Sequence, residues 1–322
     1  MVKEQPFIIE EETVSGIPII TVRNKRTNEY YSVIPQSGGR LRELWLNNGK
    51  ENISVLRKID NVHSQNPDDI FTNAKLSPFA GRIQDGRYVV DNVKYEMELN
   101  FLEEHNACHG FVYNKAFMVV AKDASKDQAT CRLQYQYDGH VKGYPFSYTL
   151  EVSYSLTLRK GFVCTTKIIN RSESVMPLSD GWHHYFDLGS PVDELKLKLN
   201  VSHMIELDAR KIPTGHKIPF IDYAVPLEIG DRIFDSCFRV NGDNGKAVTE
   251  LISENRDINL SLWQEIGKNK FNYLVIYTPS DRKTIAIEPM TSNVNSFNTG
   301  EGLMLLAPED EYQASFGLFL KR

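Results

Sequence analysis

The sequence predicts an all-β protein, built as a large antiparallel β-sandwich, and three observations lead to that prediction. Apolar and polar residues alternate strictly along many short stretches, and β-branched and aromatic residues fill them. Gly, Asn, Asp or Pro separates one stretch from the next. Helical stripes are scarce, and there is no strand–helix alternation of the kind that forms a parallel sheet.

The clearest strand is "SYTLEVSYSLT", in which alternate residues share one apolar face: Tyr148, Leu150, Val152, Tyr154 and Leu156. Its other face is polar, which is typical of a half-buried antiparallel strand. Similar patterns predict strands in "TCRLQYQY", "KGFVCTTKIIN", "ELKLKLN", "DINLSLW", "FNYLVIYT", "KTIAIE" and "QASFGLFLK". Two stretches, 41–48 and 53–62, could each hold a turn or two of helix. With no linker and no repeat, we expect one domain over residues 1–322, with about twelve or more strands.

Composition and charge narrow the class of protein. Apolar residues make up 41% and charged residues 25% of the 322, as in soluble globular domains. A net charge of −5 argues against a nucleic-acid partner, and no apolar run is long enough to span a membrane. The first residues, MVKEQPFIIEEETV, do not resemble a signal peptide, and four scattered cysteines (Cys108, Cys131, Cys164 and Cys237) are expected as free thiols. These features predict a cytoplasmic protein.

Sequence motifs of several enzyme classes are missing. The chain has no GxGxxG before a helix, no GxxxxGK[ST], no HExxH and no GxSxG. Chemistry driven by nucleotides, zincin chemistry and serine-hydrolase chemistry are therefore disfavoured.

Four stretches place polar side chains at positions where a β-sandwich usually has no distinctive polar groups. They are "SPFAGRIQDGRY" with Arg82, "NACHGF" with His109, "GWHHYFDL" with His183 and His184, and "IAIEPMTSNVNSFN" with Glu288. Each has an ordinary explanation as a solvated charge, a loop histidine or an exposed strand end. Neighbours in a strand point to opposite faces, so we expect only one histidine of the pair in a cleft.

Glu288 is the hardest of these residues to explain as an ordinary surface charge. It ends an apolar strand directly before Pro289, which favours an extended backbone at Glu288. A carboxylate in apolar surroundings is a candidate for a perturbed pKa.

Six ordered stretches together resemble the aldose 1-epimerase (galactose mutarotase) family over about residues 17–320. They are "SPFAGRI", "CHGF", "HHYFDL", "LDARKIPTG", "FDSCF" and "IEPMTSNVNSFN". The resemblance implies the family's large antiparallel β-supersandwich, which agrees with the alternation pattern.

The resemblance also implies roles for particular residues. His183 falls on the position of the catalytic general acid, Glu288 on that of the general base, and His109 on that of a second histidine near the ring oxygen. Arg82 and Asp235 fall on hydroxyl-binding positions. His184 falls on a variable position.

This sequence departs from the family pattern beside those positions. Cys108 stands where Leu is usual, Trp182 where Asn is common, and Asp187 where a second Asn is common. These departures bear on sugar preference more than on the reaction.

The implied reaction interconverts α- and β-anomers of a free aldohexose by opening and reclosing the ring. One carboxylate and one imidazole can trade the protons, so no cofactor and no metal is expected. The expected partner is a monosaccharide. Trp182 or Tyr185 could stack on a sugar face or equally pack in the core.

Four alternatives stay open from the sequence. A glycosidase would use Asp235 and Glu288 as its two carboxylates. A non-catalytic carbohydrate-binding protein could keep Arg82 and Asp235. A metal site could use His109, His183 and Glu288, although no short ligand spacing supports it. A mutarotase could also act on a phosphorylated or otherwise modified sugar. The sequence does not indicate the oligomeric state.

Overall fold

The computed structural model describes residues 5–61 and 67–321, in which 27 strands are formed. The first nine are β1 (Phe7–Val14), β2 (Ile17–Asn24), β3 (Tyr30–Ile34), β4 (Arg40–Asn47), β5 (Asn52–Ser54), β6 (Ala74–Leu76), β7 (Arg82–Gln84), β8 (Arg87–Val90) and β9 (Val93–Glu96). The next nine are β10 (Asn106–Cys108), β11 (Met118–Ala124), β12 (Gln128–Tyr137), β13 (Tyr148–Thr157), β14 (Gly161–Asn170), β15 (Met176–Leu178), β16 (Gly181–Phe186), β17 (Lys196–Lys198) and β18 (Val201–Leu207). The last nine are β19 (Pro213–Pro219), β20 (Leu227–Glu228), β21 (Asp235–Val240), β22 (Lys246–Ser253), β23 (Ile258–Glu265), β24 (Tyr273–Tyr277), β25 (Ile285–Met290), β26 (Met304–Leu306) and β27 (Glu311–Leu320).

Helix is confined to three short pieces of the described chain. These are α1 (Pro67–Ile70), α2 (Ser296–Thr299) and a 3₁₀ turn at Val192–Glu194. None of the helices in residues 5–61 and 67–321 is long and apolar enough to cross a membrane.

A nine-stranded antiparallel sheet forms one layer, in the order β11-β12-β13-β14-β27-β23-β22-β17-β20. Its central strands alternate as the sequence predicts. In β13, Leu150 and Val152 are buried whereas Glu151 and Ser153 are partly exposed. The burial of one face shows that this sheet covers a core.

Two further antiparallel sheets complete the sandwich. A seven-stranded sheet runs β19-β18-β21-β24-β25-β16-β6, and a five-stranded sheet runs β1-β2-β3-β4-β5. The remaining strands form the pairs β10-β7, β15-β26 and β8-β9.

The nine-stranded sheet packs against both of the other sheets. Trp182 on β16 lies 6.0 Å, centroid to centroid, from Phe316 on β27. Tyr31 on β3 donates its hydroxyl proton to the Tyr154 carbonyl on β13 at 2.6 Å. One cluster of buried apolar side chains, extending along the chain from Phe7 to Leu320, fills the space between the layers. The predicted all-β class and the large antiparallel β-sandwich are confirmed.

The helical turns expected at 41–48 and 53–62 are not formed in the described residues. β4 takes up 40–47, and β5 is followed by a bridge from Leu56 to Phe186; residue 62 lies outside the described residues. A β-bulge explains the misleading pattern in β4. The register between β3 and β4 shifts at Ser32/Val33, so that Leu41 and Leu44 are both buried although they are three residues apart.

All four cysteines are free, as the sequence predicts, and all four are buried. Burial raises the pKa of the Cys108 thiol to about 12. A thiol with so high a pKa is a packing group rather than a nucleophile.

Candidate active site

A cavity of about 300 Å³ opens on the face of the seven-stranded sheet that points away from the nine-stranded sheet. Four neighbouring strands of that sheet, β16, β25, β24 and β21, supply its floor, and loops around β7 and β10 supply its walls. All five residues singled out in the sequence line it: Arg82, His109, His183, Asp235 and Glu288. Sequence positions more than 200 residues apart therefore meet in one pocket.

The two adjacent histidines lie on opposite faces of β16. His183 and Tyr185 line the cavity, whereas His184 stacks on Trp182 with ring centroids 5.3 Å apart and planes at 13°. His184 also contacts Phe316 at 5.3 Å, on the core side of the sheet. The expectation that only one histidine of the pair faces a cleft is confirmed, and that histidine is His183.

Glu288 projects into the cavity from the middle of its strand. The sequence places the end of that strand at Glu288, and this is wrong, because β25 continues through Pro289 to Met290. Glu288 lies opposite Val275 on β24, and Pro289 lies opposite Leu274. A central strand fixes the carboxylate more firmly than a strand end would.

His183 and Glu288 form a contact pair at the bottom of the cavity. His183 Nε2 lies 3.4 Å from Glu288 Oε1, and the two side chains are 8% and 2% exposed. Burial lowers the pKa of His183 to about 4. Burial, with the nearby Asp235 charge second, raises the pKa of Glu288 well above its ordinary value. Both shifts favour the neutral forms, so the pair holds one proton between two groups that can each give or take it.

His109 is fixed to the opposite wall by its backbone and by its ring. Its N–H donates to the Gly81 carbonyl at 2.9 Å, and the Gly81 N–H donates to His109 Nδ1 at 3.3 Å. Burial lowers the pKa of His109 well below its ordinary value, with the charges of His183 and Arg82 as smaller causes. A neutral ring that accepts at Nδ1 carries its proton on Nε2. His109 is therefore a hydrogen-bond donor.

The residue after His109 must be glycine. Gly110 has φ of +67°, and a Cβ at this position would lie 2.1 Å from the Ser77 carbonyl oxygen. The close approach of the two backbones allows no side chain there. The His-Gly sequence thus reflects a backbone requirement beside a side chain that lines the cavity.

Arg82 does not point freely into solvent, as an arginine before a turn often does. Its Nε and Nη2 both donate to the carboxylate of Glu104, the latter at 2.9 Å to Oε1. Its guanidinium also lies 5.7 Å from the centroid of the Phe101 ring. Glu104 and Phe101 line the same cavity.

Asp235 is likewise engaged in an ion pair. Lys211 Nζ lies 2.6 Å from Asp235 Oδ2, with both side chains about one-third exposed at 34% and 31%. Lys211 belongs to "LDARKIPTG", a stretch whose resemblance was noted but whose lysine was not singled out. The pocket therefore holds two ion pairs in addition to the His183–Glu288 contact.

The aromatic residues Trp182 and Tyr185, and the positions that depart from the family pattern, differ in whether they line the cavity. Trp182 is fully buried on the core side, where its Nε1 donates to Thr166 at 3.3 Å, whereas Tyr185 stacks on His183 at 4.8 Å in the cavity. Cys108 is paired in β10 opposite Arg82, and its side chain does not line the cavity. Asp187 accepts a hydrogen bond from the Gly189 N–H at 2.8 Å and shapes a turn. Only Tyr185 among these residues could touch a ligand.

The pocket residues that the sequence analysis missed include Glu104, Phe101 and Phe71, and it also missed Lys211, which pairs with Asp235. Phe71 lies 4.8 Å from His109 and 6.3 Å from His183, ring to ring, and so packs on both. These residues come from loops, whose positions no periodicity predicts. The metal alternative is not supported, because the described residues contain no group of three or more His, Cys, Asp or Glu arranged to hold an ion.

Comparisons with known proteins point to one family. A family model described as aldose 1-epimerase matches residues 18–318. The chain is 25% identical over 296 residues to an aldose 1-epimerase of Streptococcus thermophilus, covering 85% of this chain and 77% of the relative. It is 23% identical over 254 residues to the uncharacterized protein YihR of Escherichia coli, covering 77% and 78% of the two chains.

A solved structure is similar over nearly the whole chain. It is that of a galactose mutarotase-like protein from Clostridium acetobutylicum, with a TM-score of 0.85 and 24% identity, covering 98% of this chain and 99% of that one. This likeness establishes the fold, including the arrangement of the large sheets.

Proposed function

Because this chain belongs to the aldose 1-epimerase family, we propose that it interconverts the α- and β-anomers of a free aldohexose by acid–base ring opening and reclosure. The observation that supports this most strongly is the buried contact between His183 and Glu288, 3.4 Å apart in the cavity. The cavity, at about 300 Å³, lies at the lower end of the range for small-molecule sites, about 300–1,000 Å³. That size favours one sugar ring over a longer chain.

In the proposed reaction Glu288 takes the proton of the C1 hydroxyl while His183 gives a proton to the ring oxygen. The C1–O5 bond breaks, C1 becomes an aldehyde, and rotation about C1–C2 presents its other face. Reclosure returns the proton from the C5 hydroxyl to His183 and the proton from Glu288 to O1. One carboxylate and one imidazole complete the cycle with no net gain or loss of protons.

The proton shared by the pair makes this cycle feasible near neutral pH. Burial favours the neutral pair, with the proton on Glu288. Its transfer to His183 across the 3.4 Å contact gives the carboxylate and imidazolium that the proposed roles need. Because opening and closing exchange the two roles, each group must act as acid in one direction and base in the other.

The other pocket residues suit sugar binding. His109, neutral and protonated on Nε2, would donate to the ring oxygen or a neighbouring hydroxyl. Arg82 and Asp235 supply donors and an acceptor for the remaining hydroxyls. Asp235 is held by Lys211, which weakens the glycosidase alternative, since its second carboxylate would be committed to an ion pair.

We further propose that residues 1–322 form a single domain. Support comes from the largest apolar cluster, to which strands from β1 to β27 contribute, because a second domain would have a large core of its own.

The proposal is tested by anomer exchange measured by NMR on chelator-treated protein. The panel contains glucose, galactose, xylose and glucose 6-phosphate. We expect the α/β exchange of at least one free aldose to exceed its rate in buffer, with no metal or nucleotide added. If every sugar exchanges at the buffer rate while one still binds, the protein is a carbohydrate-binding protein and the enzyme proposal is wrong.

A further inference from the structure

Within the described residues, each cationic side chain at the pocket belongs to one of its two ion pairs. Arg82 is a lining residue and pairs with Glu104. Lys211 reaches the pocket through Asp235. Burial lowers the pKa values of both cavity histidines, His109 and His183, which favours their uncharged forms. In the described residues, no pocket cation is without an acidic partner.

Glu104 occupies the part of Arg82 that would otherwise bind an anion. The Nε and Nη2 edge of a guanidinium is one of its two edges that can take a phosphate, sulfonate or carboxylate in a two-bond fork. Here both nitrogens of that edge donate to the two oxygens of Glu104. The pair is largely shielded from water, with side-chain exposures of 13% for Arg82 and 23% for Glu104.

The loop that carries Glu104 is fixed from the outside. Arg210 Nε donates to the Glu104 carbonyl at 2.9 Å, and its Nη2 donates to the His105 carbonyl at 2.9 Å. Arg210 Nη2 also lies 2.6 Å from Asp85 Oδ1. The backbone of Glu104 is thus tied to two other segments, which keeps its carboxylate against Arg82.

We propose that Glu104 is a specificity-determining residue, which restricts this pocket to uncharged sugars by occupying the anion-binding edge of Arg82. The inference rests on the proposed function, since it concerns the substrate class of the same pocket. A sugar with a phosphate, sulfonate or carboxylate would have to displace Glu104, and would then stand near that carboxylate and Asp235. Like charges brought together in a partly desolvated site oppose binding. The hydroxyls of a neutral aldose can form hydrogen bonds with the side chains of both ion pairs without breaking either pair.

The test compares Glu104→Gln with Glu103→Gln. Glu103 is the preceding residue in the same loop, is exposed, and does not line the pocket. Each variant removes one negative charge from nearly the same place, so net charge and long-range attraction change equally. Only Glu104→Gln frees the edge of Arg82.

Binding is measured by ligand-observed NMR titration of glucose and glucose 6-phosphate, and of galactose and galactose 6-phosphate, at low and high salt. For the wild type we expect the Kd of the phosphorylated sugar to exceed that of the free sugar by about tenfold or more. Glu104→Gln should reduce that ratio about tenfold at low salt, and less at high salt. Glu103→Gln should leave it unchanged, and amide spectra of both variants report on folding.

Two results would overturn the inference. One is a wild type that binds the phosphorylated sugar as well as the free sugar. The other is an equal change of the ratio in both variants, which would mean that overall charge, not Glu104, sets the preference. A wild type that discriminates in binding yet fails to accelerate anomer exchange would refute the proposed function and leave this inference standing.

Discussion

The two faces of β16 carry neighbouring histidines that are both buried but lie in different surroundings. On the cavity face, His183 has a carboxylate 3.4 Å from its Nε2 and an open cavity beside it. On the core face, both ring nitrogens of His184 are buried and have no hydrogen-bond partner among the described residues. Burial lowers the pKa of His183 to about 4 and that of His184 to about 3. A shifted pKa therefore does not distinguish the two, but a partner and an accessible space do.

Behind His184, the core face also holds an ion pair with no access to solvent. Lys75 Nζ lies 2.5 Å from Asp180 Oδ1, and both side chains are 0% exposed. Lys75 also donates to the Gly181 carbonyl at 3.0 Å, which ties β6 to the start of β16. On the core face of β16, the buried ion pair and the buried imidazole of His184 stabilise the packing of the sheets. On the cavity face, a similarly buried imidazole and carboxylate are proposed to carry out the chemistry.

The largest effect that separates the two faces is expected from replacing each histidine. His183→Asn should reduce kcat for anomer exchange by about 10²–10⁴-fold, since it removes the proposed acid. His184→Phe keeps an aromatic ring against Trp182 and should leave kcat within about threefold of the wild type. The measurement is NMR exchange at saturating sugar, with thermal unfolding to show that both variants fold. Equal and severe losses in two folded variants would contradict the assignment of chemistry to the cavity face.

A second effect concerns stability against acid. The pKa of His184 is near 6.5 in the unfolded chain and about 3 in the folded protein, so the unfolded chain binds the proton more readily. The stability associated with the neutral ring is complete above about pH 6.5 and is lost as pH falls towards 3. At about 1.4 kcal/mol per pH unit, this one group lowers the free energy of unfolding by about 2 to 3 kcal/mol as the pH falls from 6.5 to 4.5.

His184→Phe should remove that contribution. Denaturant unfolding at pH 7.5, 6.5, 5.5 and 4.5 gives the slope of unfolding free energy with pH. We expect the variant to have the shallower slope below pH 6.5 and the same slope as the wild type above it. Parallel curves over the whole range would show that His184 titrates normally in the folded state.

The smallest effect is expected at Trp182. Trp182→Phe removes the hydrogen bond from Nε1 to Thr166 and leaves a ring in the core, so we expect a loss of about 1–2 kcal/mol of stability. The KM for the sugar should not change, because Trp182 faces away from the cavity. Steady-state exchange kinetics and denaturant unfolding check the two parts. A raised KM with unchanged stability would instead place Trp182 on the sugar.

Much of the fold was predictable because alternation along a strand directly reports which face is buried. The strict pattern in β13 gave the correct face, and the same rule separated His183 from His184. Where local geometry breaks the alternation, prediction failed. The bulge in β4 imitated a helical spacing, and the end of β25 was placed two residues early because Pro289 was taken as its stop.

The candidate site was predictable only in part, for a related reason. Residues on strands, such as Glu288, can be recognised in the sequence because they are polar residues within apolar runs. Glu104 follows another glutamate in a loop, and only the folded chain brings it to Arg82. A pairing between a loop residue and a strand residue more than 20 positions away leaves no periodic pattern in the sequence, so nothing there indicated Glu104 or Lys211.

The central claim is that the carboxylate of Glu288 trades protons with the sugar, and Glu288→Gln tests it most directly. Gln keeps the shape and hydrogen-bonding reach of Glu288 but cannot take the C1 proton. We expect kcat for anomer exchange to fall about 10²–10⁴-fold, or roughly 3–5 kcal/mol of barrier. The Kd for the same sugar should stay within about tenfold, because the proposed contacts of Arg82 and Asp235 with its hydroxyls are retained. A folded Glu288→Gln protein that exchanges anomers at close to the wild-type kcat would contradict the claim, and Asp235 would then be the carboxylate to replace next.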